Sequence, residues 1–314
     1  MSLVVGIDLG ATKVRVALVE AVGDVLSEKV FPVGEARDPK AVVERISRGI
    51  SDVLEDAGAS LEVIQGVGIG CAGQISSDGR RVLFGPNLGW RDVALADILE
   101  QEIRRTVVLE NDVRAAALGE ALLGAGRGCR DLICVFVGSG VGSGIITGGR
   151  LLRGVDNLAG EVGHMKLDPE GPSCSCGGRG CLEVYAGGRH VARRVEEALE
   201  SGHESSLARA GEVHVRAVEE AARRGDPLAV KIWDQVVWSL GLGIANLVTI
   251  FNPAKVILGG GVVEASPALV PHVRDAIRRW VTMLSGKEVQ VAKAQLGARA
   301  PAIGASSLLS RHGV

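Results

Sequence analysis

Aromatic residues are scarce. Phe, Trp and Tyr make up 3% of the 314 residues, with a single Tyr, and the net charge is only −2. A nucleic-acid surface needs a basic face and rings on which bases can stack. This composition supplies neither, so no nucleic-acid partner is expected. No uninterrupted apolar run reaches the ~18 residues of a membrane-spanning helix, so no membrane partner is expected either. No basic n-region or cleavage site precedes the first strand-like run, and a cytoplasmic location is expected. There is no low-complexity linker. Two common phosphate-loop patterns are also missing. Gly6 to Lys13 has Ala11 before Thr12-Lys13 and no helix pattern after it, so it is not a Walker A loop. Gly138 to Gly144 has Ser143 three places beyond Gly140, so it is not G-x-G-x-x-G. Cysteine is limited to six residues, three of them in one short loop. Cys71, Cys129 and Cys134 lie in or beside apolar stretches and read as buried thiols in a reducing compartment.

What the chain has is apolar bulk, at 46% hydrophobic, and 44 glycines. Its length suits two domains. The densest chemistry lies near the middle. Gly160-Glu161-Val162-Gly163-His164 is followed by Cys174-Ser175-Cys176-Gly177-Gly178-Arg179-Gly180-Cys181-Leu182-Glu183. His164, Cys174, Cys176 and Cys181 can close a tetrahedral shell around Zn²⁺. The glycines at 177, 178 and 180 let the backbone fold back between the second and third thiol. Glu161 and Glu183 are oxygen ligands that a closed Cys₃His shell does not need. Each lies close in sequence to a metal ligand, so a metal clip would fix where its carboxylate points. The reading is a structural metal with two Glu that contact a polar substrate. A zinc knuckle or a disulfide pair in an unrelated fold is the alternative.

Apolar patterning predicts strand, tight turn, strand over Val4–Val19, a third strand near Val25–Phe31, and a helix from Pro39 to about Ala57 with Asp38 as its cap. A buried strand is expected at Ile64–Cys71, a helix at Ala94–Arg105 and a strand at Val107–Leu109. Glu110-Asn111-Asp112 then opens an Ala-rich helix to about Leu123. Ligand chemistry gathers at the carboxyl ends of strands in open α/β sheets, whereas Asn and Asp are also ordinary helix caps, and both readings of Asp112 stay open here. Residues 131–152 repeat the opening theme: a strand at Leu132–Val137, a turn at Gly138–Gly144, and a strand from Ile145. Turns of small residues expose N–H groups to anions. The C-terminal half reads as helices at Gly187–Glu200, Glu212–Arg224, Asp226–Ile250, Pro267–Val281 and Ala300–Ser310. Strands are expected at Val256–Leu258, before Gly259-Gly260-Gly261, and at Val289–Ala292. Gly241 and Gly243 inside the long helix suggest close packing.

Glu161 to His164 and Cys174 to Glu183 resemble the E-x-G-H and C-x-C-G-x-x-G-C-x-E signature of the ROK family of sugar kinases and repressors. The likeness covers nearly the whole chain. Gly6 to Lys13 is similar to the family's first phosphate motif, with Ala11 where Gly is usual. Gly138 to Gly144 is similar to the second, with Ser139 where Thr is usual. Gly85 to Trp90 resembles the glucokinase sugar loop, Glu110-Asn111-Asp112 the catalytic motif, and Gly259 to Gly261 the adenosine-side turn. The resemblance implies two actin-like (ribonuclease H-like) α/β domains facing each other across a cleft. Residues 1–110 with 299–314 would form one domain, and 111–298 the larger one carrying the zinc motif.

It also implies a function: transfer of phosphate from ATP to the 6-hydroxyl of a hexose, glucose first. Asp112 would be the general base. Gly73, Asn87, Asn111, Asp112, Glu161, His164 and Glu183 would bind the sugar, with His164 placing its second ring nitrogen on Zn²⁺. Asp8, Gly10, Thr12, Lys13, Ser139, Gly140, Gly260 and Gly261 would surround ATP, with Mg²⁺ held by its phosphates. Domain closure would limit ATP hydrolysis. N-acetylmannosamine, N-acetylglucosamine or fructose are alternative acceptors, and a sugar-responsive repressor is the rival class. With a first strand expected from Leu3, the repressors' N-terminal DNA-binding segment is not expected here. A homo-oligomer, dimer or tetramer, is expected.

Overall fold

The structure, a computed structural model, describes residues 3–20, 23–209, 211, 213–281 and 289–309. It is mixed α/β, as expected, and divides into two compact units. The first comprises Met1–Arg130, Gly144–Gly160 and Gln295–Val314; the second comprises Asp131–Ser143 and Glu161–Ala294.

The first unit opens with β1 (Leu3–Leu9), β2 (Lys13–Glu20) and β3 (Val25–Pro32), an antiparallel meander in which Asp8 lies opposite Arg15. α1 (Pro39–Asp56) follows. The Asp38 side chain accepts the Ala41 N–H at 3.0 Å, which satisfies one of the orphan donors at the helix start. Its Val42, Ile46, Ile50 and Val53 recur at helical spacing and are buried with Ile7, Val16 and Ile69 in one core. β4 (Ile64–Cys71) and β8 (Val107–Asn111) join β1 in parallel, giving the order β3-β2-β1-β4-β8. Between them lies a small antiparallel sheet of β5 (Gln74–Ile75), β6 (Val82–Gly85) and β7 (Trp90–Val93) that the sequence pattern did not suggest. Its strands are two to four residues long and β6 exposes Leu83 and Phe84, so no alternation can be read from them. α2 spans Leu95–Ile103 and α3 spans Asp112–Leu122.

The boundary expected after residue 110 falls inside this unit. The reason is packing. α3 lies so close to the C-terminal helix Ala300–Ser306 that a Cβ added at Gly304 would sit 1.7 Å from the Ala115 carbonyl oxygen. The same helix crosses β1 and β4 at Gly6 and Gly68, where any side chain would strike its backbone. Glu120, fully buried, accepts the N–H groups of Gln295 at 2.9 Å and Leu296 at 2.8 Å where the chain re-enters the unit.

The second sheet is β9 (Leu132–Val137), β10 (Val141–Thr147), β11 (Arg150–Leu151), β12 (Lys255–Gly259) and β13 (Gln290–Lys293), in the order β11-β10-β9-β12-β13, with β12 parallel to both β9 and β13. β10 starts at Val141 rather than Ile145, so Gly142, Ser143 and Gly144 are strand and not turn. Gly144 is needed there, because a Cβ would lie 2.3 Å from that of Ala117. Among the described residues, the helices between the zinc-motif loop and the C-terminal helix are α4 (Leu182–Ala186), α5 (Gly188–Glu200), α6 (Val215–Arg223), α7 (Pro227–Phe251), α8 (Gly261–Ala265) and α9 (Leu269–Trp280). The expected helix from Pro267 therefore starts at Leu269, and the expected starts and ends at Glu212 and Ser310 lie outside the described residues. Asp226 caps α7 through the Ala229 N–H at 3.0 Å. A Cβ at Gly241 would fall 2.5 Å from that of Ala276, which is the close packing anticipated for that glycine. By length and composition α7 could span a bilayer, and half of that stretch is buried within the protein. Cys71 and Cys134 are buried as expected; Cys129 is only half-buried.

Candidate functional site

In the first unit the candidate residues gather where β1, β4 and β8 end. The register pairs Asp8 with Gly70, and Cys71 with Asn111, so Asp8 and Asn111 stand at the carboxyl ends of parallel strands one strand apart. The two readings of Asp112 separate here. Asn111, not Asp112, is the cap of α3: its Oδ1 accepts the N–H of Val113 at 3.0 Å and of Arg114 at 3.1 Å. Its amide nitrogen donates to the Gly73 carbonyl at 3.1 Å and to Asp112 Oδ1 at 3.0 Å. Asp112 is thus the first helical residue, with Oδ1 also accepting the Val113 N–H at 2.9 Å. Gly73 adopts φ +153°, and a Cβ there would meet the Phe84 carbonyl oxygen at 2.5 Å, so only glycine fits.

The two carboxylates sense each other. Burial and the negative charge of Asp112 push Asp8 up to about 7, partly offset by Arg15 across the strand pair. Burial and the same two carboxylates push the Cys71 thiol well above its ordinary range, so it is an inert core thiol. Behind Asn111 lies a group that sequence reasoning missed. Glu110 is buried and pairs with Arg114 at 3.1 Å and Arg153 at 2.9 Å, and it accepts the Asn111 N–H at 2.8 Å. Its only signal in the sequence was its place beside Asn111; its partner Arg153 is remote in sequence. Asn87 is exposed in the β6–β7 turn, where its carbonyl accepts from Arg37 Nη1 at 2.6 Å. The first phosphate turn is closed by Gly10 N–H donating to the Lys13 carbonyl at 3.1 Å, with Thr12 and Lys13 exposed.

In the second unit, the turn after β9 and the turn after β12 are adjacent. Gly259 pairs with Phe136, and a Cβ at Gly260, φ +88°, would lie 2.5 Å from the Val137 carbonyl oxygen. Ser139, Gly140, Gly260 and Gly261 therefore share the carboxyl edge of two parallel strands. The Gly138 and Ser139 carbonyls accept the N–H groups of Gly188 at 2.8 Å and Arg189 at 3.1 Å, from the first turn of α5. Glu183, assigned to the sugar by resemblance, accepts the Val141 N–H at 2.9 Å and also lies against Gly140. Its other oxygen is 3.6 Å from His190 Nε2.

His164, Cys174, Cys176 and Cys181 bring their ligand atoms within 4.8 Å of one another. The Cys176 and Cys181 sulfurs are 3.7 Å apart, and Cys174 Sγ is 3.7 Å from His164 Nδ1. Tetrahedral Zn²⁺ with bonds of ~2.3 Å to sulfur and ~2.1 Å to nitrogen requires about 3.8 Å and about 3.6 Å for these edges. The donor set fits the metal. All six cysteines are free. Gly180, at φ +61°, would place a Cβ 1.5 Å from the Asp168 carbonyl oxygen, so the fold-back depends on it. Lys166, overlooked in the sequence, donates to Cys181 Sγ at 3.2 Å, and the thiolates raise its pKa. Three thiolates and Zn²⁺ leave one negative charge, which one ammonium balances. Glu161 is exposed, and its carbonyl accepts the His164 N–H at 3.0 Å.

A glucokinase from Streptomyces coelicolor is 34% identical to this chain over 98% of both sequences. The solved structure of a ROK family glucokinase from Streptomyces griseus, in complex with glucose and AMPPNP, superposes with a TM-score of 0.80 at 35% identity, covering 98% of each chain. The ROK hexokinase from Thermus thermophilus gives 0.82 at 34% identity, over 97% of this chain and 96% of the other. These structures carry the actin-like two-domain fold anticipated from the sequence. The model of the ROK family matches residues 4–312, and the chain belongs to that family.

Proposed function

We propose that this protein is an ATP-dependent hexose kinase that phosphorylates glucose at its 6-hydroxyl. The observation that carries the reading is the division of labour at the start of α3. Asn111 supplies the helix cap, and the Asp112 carboxylate, held through Oδ1 by the Asn111 amide and the Val113 N–H, stands at the carboxyl edge of the sheet near Asp8. A sugar hydroxyl is a weak nucleophile and gains from a positioned base. Asp112 takes the hydroxyl proton as the oxygen attacks the γ-phosphorus, the bond to the bridging oxygen breaks, and ADP leaves. Most of the remaining acceleration in such transfers is alignment and charge neutralisation.

Asn87, Asn111, Glu161, His164 and Glu183 bind the sugar hydroxyls, with Gly73 contributing through its backbone. Asn111 also positions Asp112, donating an amide hydrogen to its Oδ1 at 3.0 Å. Thr12, Lys13, Ser139 and Gly140 contact phosphates, and Gly260 and Gly261 admit the nucleoside where a side chain would obstruct it. Mg²⁺ accompanies ATP, with Gly10 and Asp8 beside it. Zn²⁺, on His164 and the three cysteines, is structural: it holds the loop that carries Glu161 and Glu183. Two donor-atom separations that match tetrahedral edges, in a cluster within 4.8 Å, support that assignment.

The test is an ADP-release assay over hexoses and N-acetylhexosamines. Glucose is expected to give the highest kcat/KM and its 6-deoxy analogue no ADP above background. ADP release with no hexose at all would sink the proposal, and a preference for an N-acetylhexosamine would move it to that acceptor.

A further inference from the structure

One cavity lies away from every residue assigned above except those of the zinc loop. It measures about 570 Å³, is wholly within the second unit, and falls in the ~300–1,000 Å³ range of small-molecule sites. One wall is the zinc loop itself, through Arg179, Asp168 and Tyr185; the opposite wall is α5 and α7, through Arg194, Lys231 and Gln235. Arg194 is the unusual member. It is partly buried, its guanidinium lies 5.8 Å over the Tyr185 ring, and its hydrogen bonds go to neutral groups, the Tyr185 carbonyl at 3.2 Å and the Gln235 side chain. Among the described residues no carboxylate lies within ion-pair distance of it. Burial pulls its pKa below the ordinary guanidinium value. The Glu197 carboxylate, one helical turn on, offsets that only in part and from beyond ion-pair distance. A partly desolvated cation with no ion-pair partner is costly and marks a place where an anion is welcome.

The rest of the lining tells what else the anion carries. Arg179 and Lys231 are exposed cations on facing walls. Of the acids, Glu197 is matched by Arg193 at 3.3 Å, which leaves Asp168 and Glu170 facing the cavity. Asp168 accepts the Glu170 N–H at 3.0 Å and the Tyr185 hydroxyl at 3.4 Å, so it is fixed in place. Carboxylates beside cations, one of them fixed, do not suit a bare anion. They suit one bearing hydroxyl groups, which donate to the acids while the oxyanion meets the guanidinium fork.

We propose that this cavity is a second ligand site, separate from the catalytic one, that takes a small anionic polyol: a phosphate or carboxylate carried on a polyhydroxy chain, with the oxyanion on Arg194, Arg179 and Lys231 and the hydroxyls on Asp168 and Glu170. The site does not rest on the kinase reading, since its residues lie outside the proposed catalytic set.

The experiment is equilibrium binding to the full-length protein, with glucose and a non-hydrolysable ATP analogue saturating the catalytic site. Glucose 6-phosphate tests the phosphate source, gluconate the carboxylate source, and inorganic phosphate and free glucose are the controls. One of the two anionic polyols should bind, at least tenfold tighter than inorganic phosphate, with free glucose showing none. Lys231→Glu and Arg179→Glu, both at exposed positions, should each weaken it by tenfold or more while circular dichroism and thermal midpoint stay near wild type; Arg194→Gln should abolish it. Failure of both polyols to bind overturns the proposal. So does binding that the charge reversals leave unchanged, and so does inorganic phosphate binding as tightly as either polyol.

Discussion

The two strand-turn-strand elements look alike in sequence and differ in what supports them. After β1 the turn leaves Thr12 and Lys13 exposed, and a Cβ added at Gly10 would meet only the Lys13 carbonyl oxygen, at 3.3 Å. After β9 the turn carries no cation. Its carbonyls are taken by the start of α5, and a Cβ at Gly140 would strike Glu183 Oε2 at 2.2 Å. The first turn therefore offers side chains on a loop tied outward by one backbone bond, the Thr12 carbonyl accepting the Val33 N–H at 2.9 Å, whereas the second is braced by a helix start and a carboxylate. A repeated backbone pattern does not carry a repeated set of supports. Those supports were chosen by residues elsewhere in the chain.

The largest effect expected in either unit is at Asp112. Asp112→Asn keeps the helix start, because Asn111 caps it, and removes the base. A fall in kcat of about 10²–10⁴-fold is expected, with glucose affinity within a few-fold of wild type by equilibrium titration. Near-normal turnover would leave the first unit without its proposed role. Next is the zinc loop of the second unit. Cys176→Ser removes one thiolate from the tetrahedron and should release the metal, measured by elemental analysis, with a loss of several kcal/mol in chemical denaturation. Wild-type protein purified without zinc would remove the structural-metal argument.

The sharpest test of the contrast between the turns is a matched pair. Gly140→Ala displaces the Glu183 carboxylate from the Val141 N–H and should raise a KM by roughly tenfold, equivalent to about 1.4 kcal/mol. Gly10→Ala needs a shift of only a few tenths of an ångström and should change either KM less than threefold. Equal effects of the two substitutions would mean that the turns are supported alike, against the geometry described above.

Much of this was legible before any coordinates. β9 at Leu132–Val137 follows from a continuous apolar run, β4 at Ile64–Cys71 from an apolar run broken by glycines, and α1 and α7 from an Asp-Pro start. The gathering of His164, Cys174, Cys176 and Cys181 was legible because cysteines, a histidine and glycines stand close together in the chain. What the sequence could not show depends on distant residues. Glu110 is held by Arg153, Glu120 by the backbone at 295–296, and Glu183 by Val141. In each case a carboxylate at least partly buried finds one of its donors far along the chain, and no local periodicity marks such a pair. The extent of β10 was missed for a related reason: its glycines look like a turn until the helix that packs on Gly144 is known.

The smallest expected effect concerns Asp8, and it sharpens the comparison from the other side, because the second unit has no counterpart to it among the described residues. Asp8 stands near a second carboxylate and its folded pKa is about 7, above the ordinary value of 3.8. The folded state therefore keeps this proton to higher pH than the unfolded chain does. Its contribution is fully favourable below the unfolded value and is lost as pH rises through the folded one, so the window runs from about pH 4 to 7. Partial exposure screens the effect, and a decline on the order of 1 kcal/mol is expected across that window. Asp8→Asn has no proton to lose and should flatten the decline in urea titrations of the protein without nucleotide or Mg²⁺. Asp112→Asn should flatten it in part, since the charge that raises Asp8 is then gone. An unchanged slope in both variants would show that the two carboxylates do not sense each other, and that the first unit's edge is organised by its backbone alone.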